Sequence, residues 1–234
     1  MYNPLELSKK IEKLVTKKEN DTIYRKYYRF RPAKFYAGIA SADCVGCNLR
    51  CIYCWSNDSA REGRIGKFYS PKEVAFKLTR IAEKYNYSQL RITGNEPTLS
   101  REHLLQVLEL IPEKYTFILE TNGILLGVDE SYVKALKKFS NLHVRISLKG
   151  STPEEFSRIT GARAEAFQLQ LNALKFCVDN DVSCHPAILI DFVKKENLEK
   201  LRKKLEKIEG GLSEELEYEK LILYPTVKRR LRID

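Results

Sequence analysis

The strongest constraint on the fold of this chain is an alternation of two periods. Short apolar runs suited to strands recur between longer stretches whose apolar residues lie on one helical face. FYAGIA (35–40), SQLRIT (88–93), YTFILE (115–120), LHVRISL (142–148), VSCHPAILI (182–190) and LILY (221–224) read as six strands. Between them, Val74, Leu78, Ile81 and Tyr85 mark one helical stripe, and Leu104, Leu105, Leu108 and Ile111 the next. Val133, Leu136 and Phe139 mark a third, Phe167, Leu171, Leu174 and Val178 a fourth, and Leu198, Leu201, Leu205 and Ile208 a fifth. Six strands, each but the last followed by a helix, predict an α/β fold with a parallel sheet and right-handed crossovers. Six units are too few for an eight-fold barrel, so a partial (β/α)6 TIM-like barrel is expected, with an open two-sided sheet as the alternative. Pro186 in the fifth strand calls for an edge position or a bulge.

The 234 residues and the 43% apolar fraction suit one domain with a sizeable core. The expected boundaries are an N-terminal helical and basic extension over 1–34, the barrel over 35–225 and a basic C-terminal tail over 226–234. The aromatic and basic segment YRKYYRFRPAKF is expected to lie across the barrel.

In such folds chemistry gathers in the loops after the C-terminal ends of the strands. The unusual sequences do fall there. The first strand leads into CVGCNLRCIYC (44–54), the second into TGNEPT, the third into ETNG and the fourth into SLKG. Four of the chain's six cysteines sit in the first of these loops. A structural zinc site wants two CxxC pairs about 12–20 residues apart, whereas Cys44/Cys47 and Cys51/Cys54 are nearly contiguous. A four-thiolate ferredoxin-like cluster uses other spacings. Cys177 and Cys184, on a helix and in a strand, read as core residues.

Cys47, Cys51 and Cys54 form C-x3-C-x2-C, and this motif resembles that of the radical S-adenosylmethionine (SAM) superfamily. The resemblance implies that these three thiolates hold a [4Fe-4S] cluster and leave one iron open for SAM. It implies reductive cleavage of SAM to a 5′-deoxyadenosyl radical that abstracts hydrogen from a substrate. Cys44 falls outside the motif and is expected to be a loop thiol packed near the cluster.

The same resemblance extends to the other strand ends. Tyr53 stands where the family packs an aromatic on the adenine, and Trp55 either lines the substrate mouth or fills the core. TGNEP (93–97) resembles the family's GGEP segment: Gly94 would allow close backbone approach, and Glu96 would pair with the methionyl ammonium. Asn95 replaces a Gly there and tolerates positive φ better than most residues. ETNG and SLKG resemble the DTNG and DLK motifs of glycyl radical enzyme activating enzymes. On that likeness Glu120 and Asn122 would take the ribose hydroxyls and Lys149 the methionyl carboxylate, with Ser147 in place of the usual Asp. EEFSRITGA (154–162) resembles a helix and turn of the same enzymes. His185 would point from the fifth strand toward SAM or substrate. His143 is expected to be structural, and His103 to open a helix at the surface. The Tyr–His pair those activases carry near the last strand is not matched, because LILYPTVKRRL has Tyr224 and no His.

The surplus of 41 Lys+Arg over 31 Asp+Glu gives +10. It fits an acidic partner such as RNA or a Lys/Glu-rich thermophile-type surface. A protein substrate, in particular a glycyl radical enzyme, is the leading expectation. A tRNA or other RNA substrate is the alternative, and a non-catalytic iron–sulfur electron carrier is the alternative of another class. A ferredoxin- or flavodoxin-type electron donor is also implied. No apolar run is long enough for a membrane span, and MYNPLELSKKIEKL lacks the apolar core of a signal peptide. A reducing, cytoplasmic setting is therefore expected.

Overall fold

A computed structural model of the chain describes residues 1–233; position 234, the last of the expected basic tail, lies outside them. The elements are α1 (Pro4–Val15), β1 (Thr16–Glu19), β2 (Thr22–Ala33), β3 (Ile39–Cys44), α2 (Asp58–Arg61), β4 (Lys67–Tyr69), α3 (Pro71–Tyr85), β5 (Gln89–Thr93), α4 (Arg101–Glu109) and β6 (Thr116–Thr121). They continue with α5 (Ile124–Val128), α6 (Glu130–Leu136), β7 (Leu142–Leu148), α7 (Pro153–Thr160), α8 (Phe167–Asp179), β8 (Cys184–Leu189), α9 (Lys195–Ile208), α10 (Gly211–Glu214), β9 (Glu217–Glu219) and α11 (Pro225–Leu231). One sheet runs β1-β2-β3-β5-β6-β7-β8-β9, with β4 beside β2 off this path. Strands β3, β5, β6, β7, β8 and β9 are parallel neighbours. Because β1 and β9 end the path, the sheet stays open as a partial barrel.

Side chains alternate across a strand, so each strand divides between two environments. Ala42 and Cys44, Leu90 and Ile92, Phe117 and Leu119, and Val144, Ile146 and Leu148 enter the main core. They meet the predicted helical stripes there, including Val74 and Leu78 of α3, Leu104 and Leu108 of α4, Leu171 and Leu174 of α8, and Leu201 and Leu205 of α9. The intervening positions carry charge: Asp43 pairs with Arg29 and Arg31 of β2, Arg91 with Glu120, and Arg145 with Glu217 and Glu219 of β9.

The element limits follow local chemistry. Helix α3 opens with a capping box between Ser70 and Glu73. It closes at Asn86, whose φ of 53° is the left-handed conformation common at helix ends. The first predicted strand begins later than FYAGIA suggests. Tyr36, Ala37 and Gly38 all have positive φ, so the backbone turns there and extends only from Ile39. The last predicted strand is displaced too. LILY is not extended pairing backbone; Glu217–Glu219 pairs with β8 instead, because its two carboxylates reach Arg145. A helix, α11, follows it, and it takes up most of the expected basic tail.

The N-terminal segment also differs from expectation. YRKYYRFR does not lie across the barrel; it forms β2 and continues the sheet antiparallel to β3. Tyr27 faces the apolar core while Arg29 and Arg31 reach the charged face. Pro186 opposes Ile146 of β7, one residue before pairing with β9 begins at Ala187, so its missing N–H breaks no bond to β9. His103 is not at the surface. It is buried with its ring nitrogens on the Tyr27 hydroxyl at 3.1 Å and the Ile23 carbonyl at 2.8 Å, and burial lowers its pKa to about 4.

Candidate functional site

The cysteine loop leaves the C-terminal end of β3, and Cys44 is the last strand residue rather than a loop thiol. Backbone hydrogen bonds anchor the loop to its surroundings: Gly46 N–H to the Ala60 carbonyl at 2.8 Å, Cys47 N–H to that of Arg61 at 3.0 Å, and Ile52 N–H to that of Ile159 at 3.0 Å. The last of these ties the loop to α7, the helix of the EEFSRITGA segment. At the neighbouring strand end Gly94 has φ +102°, and a Cβ there would stand 2.9 Å from Asp43 Cα. Any side chain would therefore force β3 and β5 apart at the site.

Cys47, Cys51 and Cys54 line one cavity of about 230 Å³, and it reaches the ends of β5, β6, β7 and β8. That volume is several times a water's share of liquid, about 30 Å³. Tyr53, Gly94, Asn95, Glu96, Glu120, Asn122, Ser147 and Lys149 all line the same cavity. Of the residues singled out in the sequence for the site, the structure leaves His185 out. It sits near the start of β8, four residues below Leu189, which does reach the cavity. At about 3.3 Å per residue that is about 13 Å down the barrel. There His185 bonds Glu217 at 3.0 Å and His143 at 2.6 Å.

Glu96 is 1% exposed, and its carboxylate accepts from Thr98 N–H (3.1 Å), Thr98 Oγ1 (2.6 Å), Thr121 Oγ1 (2.6 Å) and Asn122 N–H (2.8 Å). It thus joins the turns after β5 and β6 as well as facing the cavity. Asn95 is not among the residues with positive φ. It replaces glycine without strain, and its Nδ2 donates to the Cys44 carbonyl at 2.8 Å. Glu120 accepts from Arg91 at 2.6 Å, Thr93 Oγ1 at 2.5 Å and Tyr36 at 3.1 Å. Burial alone would raise its pKa, but Arg91 and Arg145 hold it below the usual carboxylate value. Lys149 Nζ donates to Ser147 Oγ at 2.5 Å and lies 5.8 Å from the Tyr53 ring centroid. Tyr53 packs at 5.1 Å against Phe192.

Several site residues escaped the sequence reading. Arg145 lines the cavity wall; it shares strand parity with Ser147 and Lys149, and that parity was the available signal. Gln170 had no signal at all. Buried on α8, it accepts from Lys149 N–H at 3.0 Å and donates to the carbonyls of Asn122 at 2.6 Å and Ser147 at 3.1 Å. The segment 220–224 supplies Lys220, Leu221, Ile222 and Tyr224 to the mouth. Trp55 belongs to the mouth as well, 36% exposed, with the Arg29 guanidinium 5.7 Å from its ring.

The donor set, three thiols on one cavity, suits an iron–sulfur cluster. Among the described residues no three His, Cys, Asp or Glu side chains stand close enough to share one metal ion. Burial pushes the Cys51 thiol up to about 11 and that of Cys47 higher, with Glu96 and the neighbouring thiols adding to the effect for Cys47. Such thiols become thiolates only against strong positive charge, which metal ions provide. Leu49 N–H already points at Cys47 Sγ from 3.3 Å.

Comparison with known proteins gives a consistent set of relatives. Residues 43–208 match the family described as "Radical SAM superfamily". A GTP 3′,8-cyclase of Clostridium perfringens is 32% identical over 158 residues, 65% of this chain and 47% of that protein. A probable GTP 3′,8-cyclase of Methanosarcina acetivorans is 35% identical over 118 residues, 50% of this chain and 34% of that one. The chain thus spans about half the length of these relatives, or less. Streptococcus suis SuiB bound to the precursor peptide SuiA superposes with a TM-score of 0.62 at 19% identity, covering 79% of this chain and 39% of SuiB. A radical SAM methyltransferase from Sphaerobacter thermophilus superposes at 0.58 and 13% identity, covering 93% and 72%. These structures share the fold.

Proposed function

The chain belongs to the radical SAM superfamily, and on that premise we propose that it abstracts hydrogen from a nucleotide-sized anionic substrate entering between Trp55 and segment 220–224. Its cofactors are a [4Fe-4S] cluster and SAM. In this reading Cys47, Cys51 and Cys54 hold the cluster. When bound, the cluster and SAM would supply the one-electron reduction and the hydrogen-abstracting radical chemistry of the family.

The chain's own residues bind, orient and shield. Glu96 keeps one carboxylate oxygen, Oε2, with a single protein partner, and that oxygen accepts the methionyl ammonium. Lys149 offers a point cation to the methionyl carboxylate. Tyr53, packed against Phe192, offers its ring to the adenine. Glu120 and Asn122 take the ribose hydroxyls; Glu120 stays ionised because two guanidiniums face it. Leu189 and Leu221 give the cavity an apolar wall.

The observation that carries the substrate class is the mouth. Trp55 and Tyr224 at the rim offer aromatic faces beside the Lys220 ammonium, which suits a planar group bearing negative charge. The name of the relatives, GTP 3′,8-cyclase, supports the same class. A glycyl radical protein is the second reading, favoured by the Ser147–Lys149 turn. An electron carrier would have no use for the polar turns gathered around the cavity.

The test is anaerobic reconstitution with dithionite and SAM, followed by assay of 5′-deoxyadenosine. Its formation, accelerated by GTP or another nucleotide, supports the proposal. A loaded cluster that yields none sinks the radical reading. Product that no nucleotide accelerates, but a glycyl radical enzyme does, replaces the substrate class.

A further inference from the structure

The helix after the last strand sits against the cysteine loop. It buries little apolar surface, with Val227 as its one buried residue, so polar bonds must hold it in place. Arg230 supplies most of them. Its side chain is 12% exposed and donates to the carbonyl oxygens of Cys54 and Ser56, and to Asp58 Oδ1 at 3.0 Å. Thr226, one helical turn earlier, donates to the Trp55 carbonyl at 2.7 Å. Three successive carbonyls that begin at the last cysteine are thereby tied to α11. Arg61 bonds the same Asp58 oxygen, Oδ1, and donates to the Cys51 carbonyl at 3.3 Å. Two guanidiniums share one carboxylate, which leaves a surplus positive charge beside the loop. Residue 230 lies beyond the segment that matches the family.

Resting on the radical SAM reading above, we propose that Arg230 is a positioning residue for the iron–sulfur cluster, fastening the cysteine loop and raising the cluster's reduction potential. Both effects follow from the geometry. The stretch between β3 and α2 is irregular, so its shape depends on such outside bonds. A planar guanidinium can fork to two carbonyls, which an ammonium cannot do with the same precision of angle. Reduction adds negative charge to the cluster, and a neighbouring cation favours that state.

The experiment uses the full chain, reconstituted anaerobically, with Arg230→Ala, Arg230→Lys and the exposed control Arg229→Ala. Iron per chain, the rate of iron loss to a chelator and the midpoint potential are measured. Arg230→Ala is expected to lose iron several-fold faster and to have a more negative potential. Arg230→Lys is expected to keep a potential near that of wild type, since it keeps the charge, while still losing iron faster. Arg229→Ala should match wild type. If Arg230→Ala does not fold, the split between potential and iron loss in Arg230→Lys decides the matter. A wild type that loads its cluster beside an indistinguishable Arg230→Ala overturns this proposal alone, as does equal iron loss in Arg229→Ala. A wild type that takes up no cluster overturns the radical reading and this inference with it.

Discussion

The two faces of the sheet are built by different rules. The outer face is almost wholly apolar: Leu90, Phe117, Val144 and their neighbours bury against helices and carry no charge. The inner face has Asp43, Arg91, Glu120, Arg145 and His185 where a small barrel normally packs branched aliphatics. There the charges are matched in pairs between strands, adjacent for Asp43–Arg29, Arg91–Glu120 and His185–Glu217, and across β8 for Arg145–Glu217. Alternation along each strand makes both faces from one stretch of sequence. The lesson is a division of labour: burial outside holds the fold, and polar pairing inside prepares a cavity for charged ligands.

The largest expected effect falls on the inner side. Cys47→Ala, Cys51→Ala or Cys54→Ala should each abolish cluster assembly, read as iron content and visible absorbance. The midpoint of unfolding of the metal-free chain should hardly move. Cys44→Ala, at a strand end facing the core, should load iron normally; loss of iron there would break the ligand assignment.

On the outer side, Phe117→Ala should cost about 3–5 kcal/mol in denaturant unfolding, because Phe117 is fully buried in the main core. A much smaller cost would mean that the outer face is not what holds the sheet. Glu96 tests the join between the two functions. Glu96→Gln should weaken SAM binding about 10- to 100-fold, the scale of about 1.5–3 kcal/mol for a hydrogen bond to a charged group. The cluster should remain. Equal binding in wild type and variant would show that Glu96 is a brace and nothing more.

The remaining effects are in pH. His103, on the helix side, has its pKa lowered to about 4 by burial. The unfolded chain therefore binds the extra proton between about pH 6.5 and 4, and stability falls as pH drops through that window, by about 3 kcal/mol. Glu217, inside the barrel, is lowered to about 2 by His185 and Arg145. Its contribution is complete above the ordinary glutamate value and is lost as pH falls from about 4.5 toward 2. His103→Gln should flatten the upper window only, and Glu217→Gln the lower only. A profile in which either substitution flattens both would break the separation of the faces.

Much of this was legible in the sequence. Five of the six parallel strands, the helical stripes and the loops that meet at the cavity follow from spacing and turn chemistry. What was hidden depended on contacts between distant segments. LILY has strand composition, yet it serves the cavity mouth because the preceding Glu217 and Glu219 take the pairing position beside Arg145. His103 looked like a helix-start surface residue until Tyr27 of β2 supplied a partner. His185 shares the right strand face but sits too far from its end. Gln170 could not be found, because a glutamine on a helix has no local mark of the two turns it serves.

That glutamine has a mechanical consequence. One carboxamide stitches the turns after β6 and β7 to a single helix, so those two corners of the cavity must travel together or stay still. On the opposite bank, residues 220–224 run between a tether from Leu221 N–H to Asp191 and the short helix that follows, with no such stitch to the turns after β6 and β7 among the described residues.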